Sequence, residues 1–144
     1  MRVLFLGDIV GRAGRKAVLD NLPQLKLNLR PDFIIVNGEN AAGGFGITPT
    51  ICDELFNAGV DAITSGNHAW DQRDIIEYID QEPRLLRPTN YPITSPGNGA
   101  GLFQASNGRL VLVINVMLRL FMDALDDPFA SVEKILGDIP LGAN

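Results

Sequence analysis

Val60-Asp61-Ala62-Ile63-Thr64-Ser65-Gly66-Asn67-His68-Ala69-Trp70-Asp71 reads as a strand that breaks into a loop before a helix. Its second half holds the only histidine of the chain, His68. Open α/β sheets carry their chemistry at this place, the carboxyl end of a strand ahead of a helix. Taken alone, a single histidine is better explained as a hydrogen-bonded loop residue. Two other strand ends shift that balance. Val3-Leu4-Phe5-Leu6 runs into Gly7-Asp8, and Phe33-Ile34-Ile35-Val36 runs into Asn37-Gly38-Glu39-Asn40. Three strand ends that finish in oxygen or imidazole donors, sharing one sheet edge, point to a metal site.

Working outward, the apolar runs at Val3–Leu6 and Phe33–Val36 have the continuous character of strands covered on both faces. Between them the pattern predicts a helix from about Gly14 to Leu29, with Val18, Leu22, Leu25 and Leu29 as its buried stripe. Pro23 falls inside it, so a kink or a split is expected. Gly43, Gly44 and Gly46 mark a loop. Thr48-Pro49 then reads as an N-cap followed by proline at the first helical position, and Gly59 closes that helix. After the strand at Val60–Thr64, Asp71 is available to cap a helix carrying Ile75 and Ile79, with Pro83 beyond its end. A β-α-β-α-β-α order predicts a parallel sheet with right-handed crossovers.

The second part of the chain differs. Arg87–Gly101 is rich in Pro, Gly, Asn and Ser and reads as a long loop. Leu102–Ala105 and Leu110–Val116 read as a hairpin around Asn107-Gly108. Asp126-Asp127-Pro128 reads as the start of another loop, and Val132–Leu136 as a short helix.

A length of 144 residues suits one domain with a hydrophobic core. The net charge of −5 excludes nucleic-acid binding through a diffuse basic surface, yet permits a phosphate substrate where bound cations invert the local sign. One cysteine, Cys52, precludes an internal disulfide and suits a reducing cytoplasm. No apolar run is long enough to span a bilayer, so a cytoplasmic protein without a membrane partner is expected.

Each candidate residue also has a plain structural explanation. Asp8 fits a turn or cap, and the glycines Gly7, Gly11 and Gly14 match neither a dinucleotide loop nor a P-loop. Glu39 and Asn40 offer two hard oxygen ligands on a flexible backbone, but also suit an arginine pair and a turn cap. Asn67 and His68 offer an amide oxygen and an imidazole that small environmental changes carry across physiological pH. Trp70 reads as a packing wall, Arg12, Arg73 and Arg119 as surface charges, and Cys52 as inert.

Taken together, Gly7-Asp8, Asn37-Gly38-Glu39-Asn40-Ala41-Ala42-Gly43-Gly44 and Gly66-Asn67-His68-Ala69-Trp70-Asp71 resemble the YmdB-like branch of the calcineurin-like metallophosphoesterases. Arg87-Pro88-Thr89-Asn90-Tyr91-Pro92 and Leu125-Asp126-Asp127-Pro128-Phe129 strengthen the resemblance, which covers essentially the whole chain. It implies a layered α/β sandwich and a two-metal phosphodiesterase acting on 2',3'-cyclic and 3',5'-cyclic nucleotides, with iron or manganese as cofactors. It casts Asp8 as ligand of the first metal, Glu39 as the bridge, Asn40 and Asn67 as ligands of the second, and His68 as the acid that protonates the leaving oxygen. Members of the branch are longer, and their second half supplies three further histidine ligands on Asp-Phe-His-Ala-Glu and Gly-Thr-His-Thr-His segments. No histidine follows His68 here, and Leu118 stands where the family has glycine. The resemblance therefore implies a single domain over 1–144 that lacks the carboxy-terminal half of the family fold. Such a domain should be weak or inactive alone, with bare apolar surface that favours self-association or a complementing half. A non-catalytic fragment or binding module that keeps the fold is the alternative.

Overall fold

The computed structural model describes residues 1–139 and 142. Strands β1 (Val3–Leu6), β2 (Phe33–Asn37), β3 (Ala62–Thr64) and β4 (Leu85–Leu86) form one parallel sheet in the order β1-β2-β3-β4. The helices between them are α1 (Gly11–Leu29), α2 (Pro49–Asn57) and α3 (Ile75–Gln81). The strand order never reverses, so crossovers of one hand set all three helices on the same face. That face is the main core. Leu22 of α1, Leu55 of α2 and Ile79 of α3 pack there against Ile34, Val36, Ile63 and Leu85. The opposite face receives the antiparallel hairpin β5 (Ala100–Gln104) and β6 (Leu110–Ile114). Phe33, Ile35, Ala62 and Leu86 meet Val111, Val113 and Phe103 in a second cluster. Alternate residues of β2 thus feed two cores, which is why its apolar run is unbroken.

Several elements depart from the sequence reading, each for a tertiary reason. Helix α1 begins at Gly11 rather than Gly14, with no side-chain cap, because the Asn40 carbonyl accepts the Gly11 N–H at 2.9 Å. Pro23 lies on its exposed side and the helix is not split. Of the expected stripe only Leu22 is buried, and Leu29 at the far end is exposed. Strand β3 begins at Ala62 because the Val60 N–H closes α2 on the Leu55 carbonyl instead. Strand β4 has only two residues, too few to show any periodicity. Strand β6 stops at Ile114, where Asn115 turns away to bond the Ser65 and Leu86 carbonyls. The segment read as a loop at Asp127-Pro128 is the start of α4 (Pro128–Asp138), whose cap Asp127 accepts the N–H groups of Phe129 and Ala130 at 2.9 and 3.0 Å. Thr48 caps α2 as expected. No helix among the described residues is long and apolar enough to cross a membrane.

Strand β1 is an edge. Its inward side chains Leu4 and Leu6 join the helical core, whereas Val3 and Phe5, on the hairpin side, are 43% and 59% exposed. Phe5 borders a cleft of about 390 Å³ that also touches Asn37, Thr64, Leu112 and Asn115.

Candidate active site

Parallel strands point their carboxyl ends the same way, so the loops after β1, β2 and β3 share one edge of the sheet. There the Asn40 amide nitrogen donates to Asp8 Oδ2 at 2.7 Å. The backbone of Asn40 also bridges to Val10, so the first two loops are tied together twice. The next residue back, Glu39, reaches the third loop, where its Oε1 accepts the Asn67 N–H at 3.1 Å. The approach is close at position 66, where a Cβ would sit 2.0 Å from Glu39 Oε2, so a larger residue there would displace the Glu39 carboxylate. Hydrogen bonds and chain neighbours therefore link Asp8, Asn40, Glu39, Asn67 and His68 in one continuous run. Asp8 and Asn67 are exposed, and Glu39, Asn40 and His68 are half-buried. The donors lie at an open surface.

His68 is held on two sides. Its Nδ1 lies 2.6 Å from Asp71 Oδ2. Asp71 is therefore not the cap of α3, which starts at Ile75 behind Asp74. The second contact comes from the glycine-rich loop, whose Phe45 ring meets the imidazole edge-to-face at a centroid distance of 5.2 Å. The Gln72 amide donates to the Phe45 carbonyl at 2.7 Å and anchors that loop. Gly46 has φ +73° and passes so close that a Cβ would lie 2.9 Å from the His68 carbonyl oxygen.

The wall beyond His68 is aromatic. Trp70 packs on the helical core and meets Tyr91 edge-to-face at 5.8 Å, which agrees with a packing role for the indole. The Tyr91 phenol is raised above its ordinary value, first by burial and then by the charges of Asp123, Glu39 and Asp71. Behind it, fully buried Asn90 donates to the Met117 and Asp126 carbonyls and accepts the Met117 N–H. Buried Arg87 donates to the Pro88, Ser95 and Pro96 carbonyls. With no acidic partner in that set, burial lowers its guanidinium below the ordinary value. Asp71, Phe45, Tyr91 and Asn115 were missed as site-building residues. The His-x-x-Asp spacing of His68 and Asp71 was the one local signal available for the first of them. Arg119 pairs with Asp127 at 3.3 Å, while Arg12 and Arg73 are exposed.

As a metal centre the donor set is partial. Two carboxylates and two amides are hard oxygen donors of the kind that divalent cations accept. Among the described residues, however, no three His, Cys, Asp or Glu side chains come together as a metal-holding group. The edge thus fits part of a cation site, with Asp8 and Glu39 as its charged members.

Known proteins resemble the chain in both sequence and fold. Over 138 residues the chain is 46% identical to the 2',3'-cyclic-nucleotide 2'-phosphodiesterase of Bacillus subtilis strain 168, covering 96% of this chain and 52% of that protein. It superposes on the crystal structure of a hypothetical protein from Thermus thermophilus with a TM-score of 0.88 and 40% identity, covering 96% of this chain and 53% of the other. It also superposes on a crystal structure described as a novel phosphatase from Mycoplasma pneumoniae, with a TM-score of 0.85 and 30% identity, covering 94% and 50% of the two chains. The chain spans about half the length of these relatives. The family model for YmdB-like proteins matches residues 4–143, essentially the whole length, and the chain belongs to the YmdB-like protein family.

Proposed function

We propose that this chain carries one half of a metal-dependent phosphodiesterase that hydrolyses cyclic nucleotides, 2',3'-cyclic and also 3',5'-cyclic. One observation carries the reading. Asp8, Glu39-Asn40 and Asn67-His68 stand at the carboxyl ends of three adjacent parallel strands and are linked there by hydrogen bonds. The name and 46% identity of the Bacillus relative support the substrate class. In this reading Asp8 and Glu39 hold a cation by charge, and Asn40 and Asn67 add amide oxygens. Two bound ions, iron or manganese, would polarise the phosphoryl oxygens and make a bound water acidic. His68 holds a proton at Nε2 and delivers it to the departing sugar oxygen. Trp70 and Tyr91 wall off one side.

Oxygen donors alone hold transition metals weakly, and imidazole is preferred by iron and zinc. The 144-residue chain by itself therefore binds at most one cation, loosely, and turns over phosphodiesters poorly. What completes the site is a polypeptide matching the other half of the relatives, seated on the bare side of β1 and in the adjoining cleft. Setting the purified chain with manganese or ferrous iron against 2',3'-cyclic AMP and bis(p-nitrophenyl) phosphate tests this. Slow turnover, raised by adding the second half of a relative and abolished by Asp8→Ala, is expected. Fast turnover by the chain alone, or two tightly bound ions per chain, would overturn the partial-site reading.

A second reading is favoured by the lack of a three-ligand cluster among the described residues. The chain then serves as a non-catalytic binding module, and no complementing half restores turnover. A cytoplasmic location belongs to the same proposal and rests on the single cysteine, with no membrane-crossing helix among the described residues to oppose it. Imaging of a tagged full-length protein tests it.

A further inference from the structure

We propose that Asp71 is a positioning residue that fixes the tautomer and orientation of His68, with Phe45 holding the ring plane. The inference deepens the reading of His68 as proton donor and rests on it for its purpose, although its geometry stands alone. A neutral imidazole carries its proton on one nitrogen, and a carboxylate can only accept a hydrogen bond. With Asp71 Oδ2 at 2.6 Å, the proton of the neutral ring must lie on Nδ1. That leaves Nε2 bare and turned away from Asp71. When the ring takes up a second proton, that proton sits on Nε2, the atom assigned to face the leaving oxygen. Partner choice on one nitrogen thus sets what the other can do.

Asp71 is itself restrained by little else. It lies three residues after His68, in the turn ahead of α3, and its N–H donates back to the His68 carbonyl at 3.3 Å. One hydrogen bond fixes a point on the ring but leaves rotation about that contact. The Phe45 ring, nearly perpendicular at 88°, adds a second contact from the glycine-rich loop that disfavours this rotation. Two contacts from separate loops, Asp71 and Phe45, therefore favour one direction of the ring.

The chain has a single histidine, so its ring nitrogens give an unambiguous two-site ¹⁵N spectrum. Long-range ¹H–¹⁵N correlation, recorded at alkaline pH where the ring signals no longer change with pH, reads the neutral ring. The expected result for the unsubstituted chain is a protonated-type Nδ1 and a bare, pyridine-type Nε2. In Asp71→Ala the two resonances should exchange character as the ring reverts to its Nε2–H form, while Phe45→Ala should leave the assignment in place. An unsubstituted chain showing Nε2–H overturns the proposal, even if Asp71→Ala proves too unstable to measure. So does an Asp71→Ala chain that keeps the original pattern. Undiminished phosphodiesterase activity of a complemented His68→Ala protein, with the unsubstituted chain showing the expected tautomer, would instead count against the catalytic reading of His68 alone.

Discussion

β1 and β2 lie side by side, pair residue for residue, and are both built from apolar side chains, yet they live in different environments. All of Phe33, Ile34, Ile35 and Val36 are buried, whereas no residue of β1 is. The difference arises from neighbours and not from composition. β2 has a strand on each side, helices on one face and the hairpin on the other. Among the described residues β1 has one strand neighbour, and the hairpin-side residues Val3 and Phe5 remain open. Unpaired backbone on an apolar edge is a standing invitation to another strand. The carboxyl ends of these two strands nonetheless supply adjoining members of one site.

The largest effect expected from this contrast is on stability. Phe33→Ala removes a ring that is 1% exposed and stacked against Phe103 at 5.7 Å, and should cost about 3–5 kcal/mol in urea unfolding. Phe5→Ala, two rows along on the neighbouring strand, should cost less than about 1 kcal/mol. Equal losses would mean that something covers β1 in solution. Measuring the Phe5→Ala difference at low and high protein concentration would then identify a second copy, because only self-association makes it concentration-dependent.

Next in size is Gly66→Ala. The added methyl collides with the Glu39 carboxylate and pushes that side chain off the Asn67 N–H. A loss of about 1 kcal/mol is expected, along with a weaker Asn67 N–H···Glu39 bond, seen as faster amide exchange at Asn67. An unchanged exchange rate would break the link between β2 and β3 that the site depends on.

A smaller effect concerns the far side of the sheet, where the Arg84 guanidinium bonds Glu82 at 2.8 and 2.5 Å and lies over the Phe56 ring. This pairing lowers the Glu82 carboxyl below its ordinary value of 4.5. A depressed carboxyl stabilises the fold above its unfolded value and loses that contribution as pH falls through the folded one. The unfolding free energies of the unsubstituted chain and Glu82→Gln should therefore differ near neutral pH and converge as the pH falls below 4.5, by less than about 1 kcal/mol throughout. Convergence on raising the pH would have the wrong sign. Smallest of all is the response of Cys52. Burial raises its thiol well above the ordinary value, so a thiol reagent should label it only after unfolding.

Much of this molecule was determined by local sequence. Apolar runs broken at regular intervals, Thr48-Pro49 and Asn107-Gly108 are short-range signals, and they placed the parallel core, one helix start and the hairpin turn. The strand-end donors Asp8, Glu39, Asn40, Asn67 and His68 were legible for the same reason, since parallel topology sends every strand end to one edge. Tertiary structure decided the rest. α1 starts early because a carbonyl from another loop receives its first N–H. Asp71 looks like a helix cap by position but bonds the imidazole instead. β4 exists because β3 offers an open edge to two residues that have no pattern of their own. Four apolar residues in a row specify a strand, but only its spatial neighbours determine whether both faces are covered, and those come from distant parts of the chain.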